Sequence, residues 1–270
     1  MTPRAASLGM YDHAAIREAN DGLWLGIADR LRASGVARVP DRLDRDRSLG
    51  AIWDDADLLL AQTCGYPFMI GGRQRLRYVA TLCYGAPGCD GVLHRSRIVV
   101  HADDRADSLA AFRDRRAAVN DYASNTGMNL FRAAVAPLAG GSSFFQSVIE
   151  TGAHAESARL VASGDADIAA VDCVSYAHLD RHEPDVTRSL RTLGWSETSP
   201  GLPLVTSRRT TARELRLIRQ ALTGALQDDQ LTSSLRQLLI TGAHVLGASR
   251  YRPVLAIERR AAAAGYPELR

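Results

Sequence analysis

The chain contains no lysine; all 33 of its basic residues are arginine. That excludes a lysine Schiff base and the phosphate-gripping lysine of a P-loop. Charge of one sign is also lacking. The 33 basic residues face 30 acidic ones for a net charge of +3. A phosphate-backbone binder shows a clustered basic face, so nucleic acid is not an expected partner. Long apolar runs are missing as well. The longest uncharged stretch, Ala133 to Ile149, is rich in Gly and Ser and is too short and too polar to span a bilayer. Residues 1–14 carry no apolar core of a secretory signal. The chain as written is therefore expected to be cytoplasmic, and periplasmic if an upstream start or signal is missing.

Cysteine is scarce. Cys64, Cys83, Cys89 and Cys173 form no C-x-x-C pair and no zinc spacing, so they are expected to act as small buried hydrophobes, with no metal. There is no Walker A, no G-x-S-x-G and no G-x-G-x-x-G, so no nucleotide or other cofactor is implied.

What is present is a substantial core. Hydrophobic residues make up 46% of 270 residues, enough for one large domain or two lobes. Short apolar runs alternate with amphipathic helical stretches, the pattern of an α/β fold with a mostly parallel sheet. Strands are expected at 6–10, 58–62, 76–82, 92–100, 117–120, 147–151, 167–172, 190–196 and 202–207. A helix is expected over 14–34, with Ile16, Leu23, Ile27 and Leu31 near helical spacing. Further helices start near Ser124 and Ala155, and three more close the chain at 211–227, 232–246 and 251–264. The middle of the chain reads as an insertion. Lobe 1 would comprise 1–97 and 200–270, lobe 2 would comprise 98–199, and hinge crossings would fall near 97–104 and 187–200. Ligands in open α/β sheets bind beyond the carboxyl ends of the strands. The segments in that position include Tyr11-Asp12, Thr63–Pro67, Asp121–Gly127, Gly152–His154 and Asp172.

Three of these segments carry chemistry. In Asn120-Asp121-Tyr122-Ala123-Ser124-Asn125-Thr126-Gly127 a strand ends and a helix begins, so unsatisfied amides and a partial positive charge offer an anion site without lysine. The plainer reading is that Ser124 or Asn125 caps its own helix. In Thr151-Gly152-Ala153-His154-Ala155-Glu156-Ser157, His154 or Ser157 could donate to a ligand oxygen, or the segment is only a capped helix with a solvated histidine. Asp172 follows an apolar strand, where a carboxylate is poorly solvated; a helix cap is again the plainer reading. Cys64, His154 and Asp172 could be assembled into a nucleophilic triad, and His178 and His182 have the i, i+4 spacing of a metal pair. A solvated helix end explains the two histidines more simply.

Taken together, Gln62-Thr63-Cys64-Gly65-Tyr66-Pro67, Ser124-Asn125-Thr126-Gly127-Met128, Thr151-Gly152-Ala153-His154, Ala169-Ala170-Val171-Asp172 and Ser199-Pro200-Gly201-Leu202-Pro203 resemble the phosphate/phosphite/phosphonate-binding family of ABC-transporter substrate-binding proteins. The resemblance covers nearly the whole chain, strongly over roughly residues 7–207. It implies a two-lobed type II periplasmic-binding-protein fold and a non-enzyme that clamps a small phosphorus oxyanion between two lobes, with a transporter permease as partner. The ligand set it implies is Tyr11, Gln62, Thr63, Tyr66, Tyr84, Ser124, Asn125, Thr126, Gly127, His154, Ser157 and Asp172. Tyr11 stands where the family has an aromatic after its first strand, and Tyr66 or Tyr84 completes the wall. Cys64, Cys83 and Cys89, expected on loops near the cleft, are a departure from the family pattern. The alternative expectation is a cytoplasmic sensor or enzyme on the same fold. The sequence sets no oligomeric state.

Overall fold

A computed structural model describes residues 4–270. The chain divides into two compact units, one of residues 1–85 and 201–250, the other of residues 86–200 and 251–270. In chain order the first strands are β1 (Ala5–Ser7), β2 (Leu58–Gln62) and β3 (Leu76–Tyr84). The second unit then supplies β4 (Leu93–His94), β5 (Ser96–His101), β6 (Arg116–Val119), β7 (Ser147–Glu150), β8 (Ile168–Asp172), β9 (Leu190–Trp195) and β10 (Ser199–Pro200). The chain returns to the first unit for β11 (Pro203–Ser207) and β12 (Ile240–His244).

The first unit is built on a sheet of order β1-β2-β11-β3-β12. β1 runs parallel to β2, and β11 runs antiparallel to both β2 and β3. Hence β1, β2 and β3 share one direction, and their carboxyl ends lie along one edge. β2 reads Leu-Leu-Leu-Ala-Gln and is buried throughout, as a central strand covered on both faces must be. The helix Arg17–Ala33 buries Leu23, Ile27 and Leu31 at four-residue intervals, with Trp24 beside them. Each such side chain removed from water contributes roughly 1.5–3 kcal/mol. The helix Ala212–Leu226 packs against it through a stripe that includes Leu215, Ile218 and Leu222.

The second unit has a sheet of order β7-β6-β8-β5-β9, in which β7, β6 and β8 are parallel and β5 is antiparallel to its neighbours β8 and β9. Its core gathers Val99, Ala118, Val161, Ala169, Val171 and Leu179. The small residues of β6 and β8 let the helix His154–Ser163 approach the sheet closely.

Several expected boundaries move. The segment 92–100 is not one strand: β4 pairs antiparallel with β10, and β5 begins afresh at Ser96 in the five-stranded sheet. The first crossing between units therefore falls at Gly85–Ala86 and not at 97–104, which lies on and just after β5 within the second unit. The chain crosses again at Pro200–Gly201 and at Arg250–Tyr251. Residues 86–97 and 251–270, expected in the first lobe, belong to the second unit. The tail is held there by hydrogen bonds to its carbonyls: the Phe144 and Phe145 amides donate to the Arg270 carbonyl at 2.7 and 3.1 Å, and the Asn129 side chain donates from Nδ2 to the Val254 carbonyl at 3.0 Å. The expected helix 232–246 is a short helix, Thr232–Gln237, followed by β12. Leu239 adopts a left-handed φ of 61°, which stops the helix, and Ile240–His244 then pairs with β3. Ala14–Ile16 is a tight 3-10 turn, and the regular helix begins at Arg17.

Candidate functional site

In the second unit the residues after β6, β7 and β8 form one bonded group. After β6, Ser124 takes an extended conformation and its Oγ accepts from the Gly127 amide at 3.0 Å. The helix that follows opens with a wide turn, in which the Asn129 amide donates to the Ser124 carbonyl at 3.0 Å, and continues as Leu130–Ala139. Wide turns of this kind are frequent at functional sites. The first amides of a helix have no intrahelical acceptor. Ser124 satisfies one of them, so its hydroxyl acts as a cap.

Gly127 is required by space. A Cβ there would lie 1.7 Å from Asn120 Oδ1 and 3.0 Å from His154 Cε1. The close approach brings Thr126 Oγ1 to 3.2 Å from His154 Nε2. On the other side of the ring, the Asp172 amide donates to His154 Nδ1 at 3.3 Å. Which partner donates between Thr126 and His154 depends on the tautomer of the ring. His154 keeps some exposed surface, but protein atoms crowd the ring. That desolvation holds its pKa below the ordinary histidine value and outweighs the nearby Asp172 carboxylate. Burial thus favours the neutral ring.

The Asp172 carboxylate is buried. Its Oδ1 accepts from the amides of Val174 at 2.9 Å and Ser175 at 3.2 Å, capping the helix Cys173–His182. Its Oδ2 faces His94 Nδ1 at 4.0 Å. His94, which the sequence did not single out, is fully buried on β4. Its role could not be read from a lone histidine 78 positions from Asp172.

Two expected ligand residues are turned inward. Asn125 Nδ2 donates to Ser199 Oγ at 2.7 Å, and its Oδ1 accepts from Asn129 Nδ2 at 3.0 Å. Ser157 is fully buried, with its Oγ 2.8 Å from Thr151 Oγ1. Thr151 also donates to the Val119 carbonyl at 3.1 Å, so this pair ties the His154 loop to the end of β6.

The first unit carries its own group at the ends of β1, β2 and β3. Tyr11 closes a tight turn after β1 and meets Tyr84 edge to face, with ring centroids 5.3 Å apart. Gln62 Nε2 donates to Tyr84 Oη at 2.8 Å, and the Gln62 carbonyl accepts from Trp53 Nε1 at 3.0 Å. Asn20 pins the turn by donating to the Tyr11 carbonyl and to Asp12 Oδ1, both at 2.9 Å. Thr63 follows β2 and is anchored by its amide to the Pro203 carbonyl at 3.0 Å; its buried Oγ1 has no hydrogen-bond partner among the described residues. Tyr66 sits in the short helical turn Gly65–Pro67 and is buried.

Cys64, Cys83 and Cys173 are buried as expected, and of the three cysteines expected on loops only Cys83 lies on a strand. Cys64 follows β2 and Cys83 lies on β3 in the first unit, whereas Cys89 belongs to the second, where its Sγ is 3.4 Å from Cys173 Sγ. The triad drawn from Cys64, His154 and Asp172 is split the same way, with Cys64 in the first unit and the other two in the second. His178 is not on a solvated helix end. It is buried, and its ring stacks on His182 at 6.3 Å.

Comparisons with known proteins bear on the family and the fold. A family model described as ABC transporter, phosphonate, periplasmic substrate-binding protein matches residues 54–251. Among curated proteins, none matches the chain. Among solved structures, the binding-protein component of an ABC phosphonate transporter from Pseudomonas aeruginosa, PA3383, aligns with a TM-score of 0.77 at 16% identity, covering 98% of this chain and 88% of that one. PhnD1 from Prochlorococcus marinus, in complex with methylphosphonate, aligns at 0.72 with 13% identity over 96% and 97% of the two chains. XAC2383 from Xanthomonas citri, bound to ATP, aligns at 0.71 with 15% identity over 97% and 98%. The fold is that of the type II periplasmic binding proteins. No helix among the described residues is long and apolar enough to cross a membrane. The chain belongs to the periplasmic substrate-binding proteins of phosphonate ABC transporters, a family that binds its substrate and does not transform it.

Proposed function

We propose that this chain binds a small phosphorus oxyanion (phosphate, phosphite or a phosphonate) and presents it to a transporter permease from the periplasm. The observation that carries this reading is the Thr126–His154 pair at a helix start. A neutral histidine, a hydroxyl and helix-start amides donate to an oxyanion without the lysine the chain lacks. PhnD1 from Prochlorococcus marinus holds methylphosphonate on the same fold, which supports the ligand class. Within the first unit, Tyr11, Gln62, Thr63, Tyr66 and Tyr84 are the candidate ligand-binding residues in this reading. Asn125 and Ser157 act behind the site, holding the loops that present Thr126 and His154.

The buried Asp172 carboxylate sets the selectivity. It repels a fully ionised ligand and favours one that brings a proton, such as monoprotonated phosphate or an aminoalkylphosphonate with its ammonium. Sulfate offers no proton near neutral pH. Calorimetry with phosphate, phosphite, methylphosphonate, an aminoalkylphosphonate and sulfate tests this. At least one phosphorus oxyanion should bind and sulfate should not; equal binding of sulfate would remove the basis for the ligand class.

A further inference from the structure

We propose that Cys89, His94 and Cys173 form a binding site for a thiophilic d10 metal ion, zinc(II), in the second unit. Their donor atoms all lie within 4.8 Å of one another, and no other such group of three occurs among the described residues. They come from three separate elements: the turn 86–89, β4, and the first residue of the helix Cys173–His182.

The turn is built to approach Cys173. Gly88 has a φ of +102°, and a Cβ on it would lie 2.5 Å from Trp195 Cζ3 and 2.9 Å from Cys173 Cβ. Only glycine brings the backbone this close. The Cys89 amide then bonds to the Ala86 carbonyl at 3.0 Å, and the Cys173 amide bonds to the Arg95 carbonyl at 3.2 Å. Both sulfurs are thereby held by the backbone beside His94.

The separations suit a metal better than a disulfide. Two Zn–S bonds of about 2.3 Å at a tetrahedral angle place their sulfurs about 3.8 Å apart. A disulfide needs about 2.0 Å. The observed 3.4 Å is close to the first and far from the second. Two thiolates and an imidazole match zinc's preferred donors, with a fourth position left for water or a ligand. The Asp172 carboxylate, 4.0 Å from His94 Nδ1, stands where a carboxylate commonly orients a metal-binding histidine.

Zinc binding forms two Zn–S bonds and one Zn–N bond and releases the two thiol protons to solvent. Cys89 is partly exposed, so the ion has a way in, while His94 and Cys173 are buried.

The test uses the full chain, reduced with a phosphine, stripped by chelator and titrated with zinc(II) against a chromogenic competitor; cobalt(II) serves as the spectroscopic probe. One ion per chain should bind, and cobalt should show thiolate-to-metal charge-transfer absorption. Cys89→Ser and Cys173→Ser should each weaken zinc by more than the roughly 10–100-fold typical of losing an outer-shell partner, while Cys64→Ser should change nothing. Where a variant fails to fold, alkylation of the wild-type chain answers instead: zinc should protect Cys89. Absence of the cobalt band, zinc affinity unchanged in the Cys89→Ser/Cys173→Ser double variant, or Cys89 alkylation indifferent to zinc would each overturn the site. Phosphonate binding is not part of the readout, so the two proposals stand or fall separately.

Discussion

Gly127 and His154 are packed against one another. Any side chain at 127 would displace Asn120 or His154. Gly127→Ala is expected to destabilise the protein by about 1–3 kcal/mol through overpacking and to weaken oxyanion binding as well; a denaturant series with calorimetry checks both. The depressed pKa of His154 has a definite sign. The folded state binds this proton less readily than the unfolded state, whose histidine titrates near about 6.5. The stability linked to it is complete above that value and is lost as pH falls through it. Wild-type protein should therefore lose more stability between pH 7.5 and 5 than His154→Gln, measured by thermal melts. An equal loss in both proteins would show that the ring is already solvated. The residue types at 127 and 154 were legible in the sequence; their mutual contact was not, because it spans two loops 27 positions apart.

Each of these loops ends one element and starts another, and the structure shows which side chains serve as helix caps. Ser124 and Thr126 looked equivalent in sequence. Ser124 Oγ is committed to the Gly127 amide, while Thr126 Oγ1 faces His154. Ser124→Ala should therefore cost about 0.5–2 kcal/mol of stability as a lost cap. Thr126→Val should leave the fold intact and reduce phosphorus-oxyanion affinity by about 1.5–3 kcal/mol, the size of a hydrogen bond to a charged group. If Thr126→Val binds as tightly as wild type, the pair is not part of the site. Asp172 serves both purposes, since one oxygen caps the helix Cys173–His182 and the other faces His94. Asp172→Asn keeps the cap oxygen and removes the charge. It should lose affinity for the phosphorus ligand while tolerating sulfate better, as calorimetry with both anions would show. The helix expected over 232–246 failed for an element-scale reason: apolar periodicity does not report a single left-handed residue such as Leu239, after which the chain joins a sheet.

For the whole molecule, the chain crosses between units three times, and both units end their parallel strands in polar loops. The sequence by itself determined the α/β class, the strand-end loops that carry Tyr11, Thr63, Thr126, His154 and Asp172, and the family, because alternating apolar runs and short loop motifs are local signals. Only the tertiary structure decided that residues 251–270 belong with the second unit, that Asn125 and Ser157 face inward, and that Cys89 meets Cys173 across 84 positions of chain. Those outcomes depend on which backbone groups and side chains packing brings into bonding distance, and no local pattern in the chain encodes that.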